Sequence, residues 1–327
     1  MMRFQPEEFD RDDSRHVASL AQLWNAACGP DLAITNGGAR YNTRPCRGAR
    51  QAGRIVRIAG TPAGIVLATE FRGGDPSVSP RDAGWIDAIA VAPEHQGQGI
   101  GAALLAWAEN WLAARGCTHA RLGGSLRPFA PGLPSELARA DFFRRRGYVA
   151  DPDDAVVWDV ARDLRAYETP AFVAKPHSAW VRPARSDDAT ALDTFFAGEF
   201  GGRWRYEQLE FLSEGGRISD IMVLVTDAGI DGFCWLTFED SLRTLDRVFM
   251  NSLPRPWGHL GPIGVSAARR GTGFGAAVLD AGLCRLRDAG VAGCVIDWTS
   301  LVGFYGKFGF TPFRRYEMMG KTLQAVD

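Results

Sequence analysis

Two short glycine runs mark places where the backbone itself could do chemistry. Gln96-Gly97-Gln98-Gly99-Ile100-Gly101 and Arg270-Gly271-Thr272-Gly273-Phe274-Gly275 each follow an apolar run and open an apolar segment of helical spacing. Glycines at a helix start leave N–H groups bare at the positive end of the macrodipole, which suits a pyrophosphate when no side chain blocks its approach. A tight turn with close helix packing would account for one such run, but two in the same context favour the ligand. The second half also carries two titratable candidates. Asp297 is the one acid in the run CVIDWTS, where burial would raise its pKa towards a useful value, although an aspartate at a strand end also serves as a helix N-cap. His259, beside Trp257 and Gly258, has the unperturbed pKa of a base at neutral pH. Six cysteines show no CxxC or Cys/His spacing, and neither Cys284 nor Cys294 has a nearby His, so thiolate chemistry and a metal site are not expected.

The elements that hold these residues come as a repeat. The segment from Ile86 to Gly116 aligns without a gap with that from Leu260 to Gly290. Each is an apolar strand, a glycine turn and a helix, with Leu104, Leu105, Ala108, Trp111 and Leu112 on one helix and Val278, Leu279, Leu283 and Leu286 on the other. Further on, FFRRRGYVA from Phe142 matches FYGKFGFTP from Phe304, and the first copy carries an extra proline- and glycine-rich stretch within GGSLRPFAPGLPSEL, read as loop. Upstream, FDRDDSRHVASLAQLWNAA and VRPARSDDATALDTFFAGEF both read as a strand, a polar helix start and an amphipathic helix, and both lead into strands. The fold class is therefore mixed α/β in two tandem domains, residues 1–165 and 179–327, with residues 166–178 as a linker without hydrophobic period.

Composition narrows the function. Lysine plus arginine (37) nearly cancels aspartate plus glutamate (38), so no global basic field attracts nucleic acid or an anionic membrane. The N-terminus lacks the apolar core of a signal peptide and no apolar run reaches membrane-spanning length, so a cytoplasmic protein is expected. Gly97-x-Gly99-x-x-Ala102 and Gly271-x-Gly273-x-x-Ala276 satisfy the looser dinucleotide fingerprint, but each turn comes late in its domain instead of opening a run of βαβ units.

Gln or Arg three residues before a glycine that is followed at i+2 by Gly or Ala, after a strand ending in Val, resembles the GNAT acetyltransferase superfamily when Phe-Tyr-x-x-x-Gly-Phe follows some way downstream. The second copy supplies Arg270, Gly273 and Gly275, then the run from Phe304 to Phe310. The first supplies Gln96, Gly99 and Gly101, then Phe142 to Tyr148. The resemblance covers nearly the whole chain and looks closest to the glucosaminide type. It implies tandem domains, each a mixed sheet splayed open for acetyl-CoA, with the pyrophosphate on both glycine turns: Gln96, Gly97, Gly99 and Gly101, and Arg270, Gly271, Gly273, Phe274 and Gly275.

The chemistry so implied is acetyl transfer from acetyl-CoA, a cosubstrate, to a primary amine of a small molecule, with an amino sugar as the first choice of acceptor. Tyr305 stands where the superfamily carries the acid for the departing thiolate, Asp297 is the preferred base with His259 as alternative, and a main-chain N–H near Val265 is the oxyanion donor. Trp298 replaces an asparagine often found before the tyrosine. The first half has Phe143 for the tyrosine and Gly123 for the aspartate, so it is expected to bind cofactor without turnover, although Asp87 on its matching strand is a further acid. Trp235, Phe238, Trp257 and Trp298 with Glu239, Asp240 and Asp246 are expected around the acceptor. A non-catalytic CoA-binding module and a protein amine acetyltransferase remain as alternatives.

Overall fold

The structure, a computed structural model, describes residues 6–80, 82–173 and 179–324. Along the chain run β1 (Pro6–Glu8), α1 (Ser14–Cys28), α2 (Asn36–Asn42), β2 (Ala49–Ile58), β3 (Thr61–Phe71), β4 (Ala83–Val91), α3 (Ile100–Ala113), β5 (His119–Leu122), β6 (Leu133–Pro134), α4 (Ala140–Arg144), β7 (Val149–Ala150), β8 (Val156–Asp163), β9 (Ala179–Pro183), α5 (Ala189–Glu199), α6 (Arg203–Ser213), β10 (Ile221–Thr226), β11 (Gly229–Phe238), β12 (Trp257–Val265), α7 (Phe274–Asp288), β13 (Gly293–Thr299), α8 (Val302–Gly306), β14 (Thr311–Glu317) and β15 (Met319–Thr322). They form two units, Met1–Val157 with Arg314–Asp327, and Trp158–Phe313. No helix among the described residues is long and apolar enough to cross a membrane.

The first unit is built on a sheet of order β1-β2-β3-β4-β5-β15-β7. Asp13 caps α1 by accepting from the Arg15 amide, as its polar start suggested. One face of α3, with Leu104, Leu105, Ala108 and Leu112, is buried against Val66, Ala68 and Ile86 of the sheet, while Trp111 stays partly exposed under Arg115. Strands β4 and β5 run parallel from Ala83–His119 to Ile86–Leu122, and β4 then continues alone from Asp87 to Val91. The neighbouring ladder bulges at that point, pairing Leu67 with Ala88 but Ala68 with Ile86, so Asp87 is the extra residue.

The second unit repeats this plan in the order β8-β13-β12-β11-β10-β9. Val278, Leu279, Leu283 and Leu286 of α7 are fully buried on it. Strands β12 and β13 pair in parallel from Trp257–Gly293 to His259–Val295 and then part, and the β11–β12 ladder skips Gly261 and Pro262, pairing Cys234 with Ile263 and Leu236 with Leu260. One parallel pair among antiparallel neighbours in each sheet rules out a doubly wound dinucleotide fold.

Three readings of the sequence differ from the structure. The units are not the segments 1–165 and 179–327. Strand β8 pairs with β13, and β15 lies between β5 and β7, so Met319 and Leu323 join the first core and Val160, Leu164 and Tyr167 the second. The repeat is legible only through α4 and α8; the strands beyond them carry no glycine turn to show which sheet they enter. Of the segment read as linker, Tyr167 is buried with its hydroxyl donating to Asp280 at 2.7 Å, Phe172 meets Phe308 edge-on, and residues 174–178 lie outside the described residues. The proline- and glycine-rich stretch is a loop as read, but residues 124–134 are buried. A side chain at Gly123 would strike the Ala130 carbonyl, so the loop folds tightly on itself.

Candidate active site

The two glycine turns have the same backbone. Gly99, the N-cap of α3, sits at φ 88, ψ −7, and Gly273, the N-cap of α7, at φ 89, ψ −9; neither cap receives a side-chain hydrogen bond. Gly97 and Gly271 also have positive φ, which accounts for glycine there as a matter of turn geometry. The turn does not account for Gly101 and Gly275, which lie inside the helices. A Cβ on Gly275 would meet nothing within 4 Å and one on Gly101 would make only ordinary contact at 3.5 Å. Helix glycines that cost about 1 kcal/mol against alanine without relieving a clash fit a surface kept bare for a ligand. The Gln96 amide donates to the Val91 carbonyl at 3.0 Å and accepts from Arg139, tying the turn to β4. The exposed Arg270 side chain makes no hydrogen bond or ion pair among the described residues. Phe274 is buried beneath Arg269, so it offers only its main chain, and Val265 ends β12 opposite Gly232.

In the first unit one cavity of about 460 Å³ runs from Asp87, Ile89 and Val91 to Gln96, Gly97, Gly99 and Gly101, with Phe143 in its wall and Arg139, Arg145 and Arg146 along it. Asp87 is 4% exposed; its Oδ2 accepts from Thr69 and from Gln51 at 2.9 Å. Burial pushes its pKa up to about 6, against hydrogen bonds from Ser125, Thr69 and Gln51 that favour the anion.

In the second unit Asp297 and Tyr305 line one cavity, of about 370 Å³, together with Trp298. The expected rise in the Asp297 pKa does not occur. Burial does act in that direction, but Arg247 at 3.0 Å and His259 at 2.8 Å hold the carboxylate far below its ordinary range. Its alternative as an N-cap fails too: Leu301 caps α8, and Thr299 Oγ1 accepts from the Leu301 amide at 2.9 Å. His259 is 1% exposed, and burial lowers its pKa to about 4 despite Asp297, so the ring is neutral at pH 7; its buried Nδ1 has no hydrogen-bond partner among the described residues. Tyr305 is buried, and both that burial and the charge of Asp297 raise its pKa, so it is a proton-bearing phenol at any ordinary pH. Trp298 adopts φ 50, unusual for a bulky residue, with its amide donating to Asp159 and the Arg203 guanidinium over its ring.

The rest of this cavity was not read from the sequence. Arg203, Trp204 and Glu207 come from α6, and Arg243 and Arg247 from the loop after β11. Arg203 pairs with Glu207 at 2.6 Å, and Arg243 stacks on the buried Trp235. The sequence RWRYEQLE gave an arginine–glutamate spacing of one helical turn, but nothing marked which face it would present. Conversely, Phe238, Glu239, Asp240 and Trp257 line a separate groove with Arg217 and Arg285, and Asp246 does not line the cavity.

The repeat alignment shows that each unit sets one carboxylate where its parallel strands part. Asp87 corresponds to Gly261 and Asp297 to Gly123. A Cβ on Gly261 would lie 3.3 Å from Asp297 Oδ1, so the acid comes from one strand or the other.

Comparison with known proteins agrees with this geometry. Residues 22–127 match the model of the acetyltransferase (GNAT) family. A mycothiol acetyltransferase of Kineococcus radiotolerans is 28% identical over 216 residues, 64% of this chain and 62% of that protein, and one of a Parafrankia species is 25% identical over 90% of this chain and 92% of its own. Among solved structures, a GCN5-related glucosamine N-acetyltransferase region of a fungal multi-domain β-N-acetylglucosaminidase has a TM-score of 0.85 at 20% identity, covering 98% of this chain and 38% of that one. A tandem GNAT protein from the clavulanic acid pathway has a TM-score of 0.73 at 18% identity over 99% and 100%. Residues 22–127 thus match the GNAT acetyltransferase family, and the chain as a whole has the fold of a tandem GNAT protein.

Proposed function

We propose that the protein moves acetyl from acetyl-CoA directly to a primary amine of a small molecule, with an amino sugar as the acceptor. The observation that carries this is the pair of matching bare glycine turns, each following a strand that parts from its parallel neighbour near a carboxylate. Acetyl-CoA would lie with its pyrophosphate on Gly97, Gly99 and Gly101 in one unit and on Gly271, Gly273 and Gly275 in the other, with Gln96, Arg270 and the main chain of Phe274 at the edges. In the second unit Tyr305 gives a proton to the departing thiolate, and the Val265 N–H faces the oxyanion. Asp297, anionic and fixed between Arg247 and His259, acts as a negative charge towards the acceptor ammonium instead of a base of raised pKa. The glucosamine named for the fungal neighbour favours a sugar acceptor, and Trp204 and Trp298 offer apolar walls for its ring.

The test is thiol release from acetyl-CoA with a panel of amines, glucosamine among them, and mass detection of the acetylated product. Turnover with a small amine supports the reading. Turnover with peptide amines alone moves the acceptor to a protein, and tight CoA binding without turnover leaves a binding module.

A further inference from the structure

The cavity of the first unit runs through its sheet. Helix α1 packs on β3 and β4, yet none of its residues belongs to the core that α3 makes on the same strands, so the two helices lie on opposite faces. Strand β4 turns side chains to both. Ile89 and Val91 pack on the α3 core, Ala88 and Ala90 do not, and all four line the cavity. The cavity therefore reaches from the glycine turn on one face, past the place where β4 leaves β5, to Trp24, Ala27 and Cys28 of α1 on the other.

Its two ends differ in chemistry. At the turn, Arg139 is bonded to Gln96, and Arg146 lies over the ring of Phe142, which a Cβ on Gly101 would meet at 3.5 Å. The α1 end is apolar. Trp24 donates its Nε1 proton to the Leu32 carbonyl at 2.7 Å and so presents only its ring to the cavity. Burial pushes the Cys28 thiol up to about 12, which keeps it uncharged, and the buried Ala130 and Leu133 complete the wall. Asp87, the one carboxylate among the described lining residues, is bonded through Oδ2 by Gln51 and Thr69. Ala27, Ala88, Ala90 and Ala130 are all small, which leaves the passage open, whereas the second unit sets Arg203, Glu207, Arg243 and Arg247 around Asp297.

We propose that the first unit binds an acyl-CoA whose acyl chain is longer than acetyl, the chain passing between β4 and β5 onto the wall of Trp24, Ala27, Ala90 and Leu133. The inference rests on the reading that the glycine turn seats the CoA pyrophosphate. A hydrocarbon chain asks for no hydrogen bond from this wall, and each methylene it takes out of water adds affinity. The two units then hold different thioesters on matching turns, with the short acyl group left to the polar cavity of the second.

The experiment is calorimetry on the full-length Gly273→Glu chain, whose second turn is blocked, with acetyl-, butanoyl-, hexanoyl- and octanoyl-CoA. Kd is expected to fall roughly tenfold for every two methylenes added. Ala27→Phe on α1 and, separately, Ala90→Leu on β4 narrow the apolar end. Each should bring the octanoyl-CoA Kd back towards that of acetyl-CoA and leave acetyl-CoA binding unchanged, which shows the unit folded. In the Gly99→Glu chain the dependence on chain length should vanish. A Kd in Gly273→Glu that stays level or rises with chain length, an octanoyl-CoA Kd that neither narrowing variant changes, or a length dependence that persists in Gly99→Glu overturns the inference and leaves the acetyl-CoA reading of the second unit standing. A Gly273→Glu chain that binds no CoA thioester at all, acetyl-CoA included, overturns the CoA reading of the first turn as well.

Discussion

Asp297 holds more charge in place than it was read to hold. With Arg247 and His259 both against it and only 12% of its side chain exposed, replacing it by asparagine takes from the buried Arg247 guanidinium the carboxylate paired with it at 3.0 Å. Asp297→Asn is therefore expected to cost about 3–5 kcal/mol at neutral pH, measured by urea unfolding. Its pKa is depressed on folding, so this contribution is present above the unfolded carboxylate value, about 3.9, and fades as pH falls below it. His259 adds a separate dependence. The unfolded imidazole takes up a proton below about pH 6.5 and the buried one only near 4, so stability should decline across that interval as pH falls, and His259→Gln should flatten the decline. For Tyr305→Phe in the Gly99→Glu background, kcat is expected to fall roughly 100- to 10,000-fold with little change in acetyl-CoA binding. Asp297 and Tyr305 were legible as candidates because one is a lone acid in an apolar run and the other fits a family motif. Arg203, Arg243 and Arg247 were not, because an arginine in a polar helix or loop reads as solvated surface until a partner carboxylate is seen beside it.

The glycine turn is the element in which sequence and structure agree most closely, because a strand, a positive-φ pair and an apolar helix leave the chain little alternative. Its glycines nonetheless divide into two kinds. Gly273→Ala forces a side chain into φ 89 and should destabilise the protein. Gly275→Ala meets no strain and no clash, so it should stabilise α7 by about 0.5–1 kcal/mol while raising the acetyl-CoA KM of the second unit, read from thermal unfolding and from kinetics in the Gly99→Glu background. A stabilised variant with an unchanged KM would show that the pyrophosphate lies elsewhere. The loops resisted reading for the opposite reason: in the stretch from Gly124 to Pro134 no period survives, and prolines and glycines that normally mark surface here line a buried wall.

At the scale of the molecule, the twofold plan was visible in the aligned repeats, but the assignment of the end strands was not. Short strands such as Met319–Thr322 carry too few residues for a pattern, and pairing partners far apart in sequence leave no local trace. The cut matters for fragments. A piece ending at residue 165 lacks Met319 and Leu323 from its core and leaves β5 and β7 without the strand between them, so it should aggregate when expressed alone; size-exclusion chromatography of that fragment, with and without a peptide of residues 314–324, checks this. The same arrangement sets an order in time. Residues 6–157 emerge from the ribosome first, yet their sheet cannot close until the whole second unit has been made, which at ~5–20 residues per second is a wait on the order of ten to thirty seconds. The half synthesised first is thus the half finished last, with an open β5 edge that a nascent-chain chaperone would have to shield.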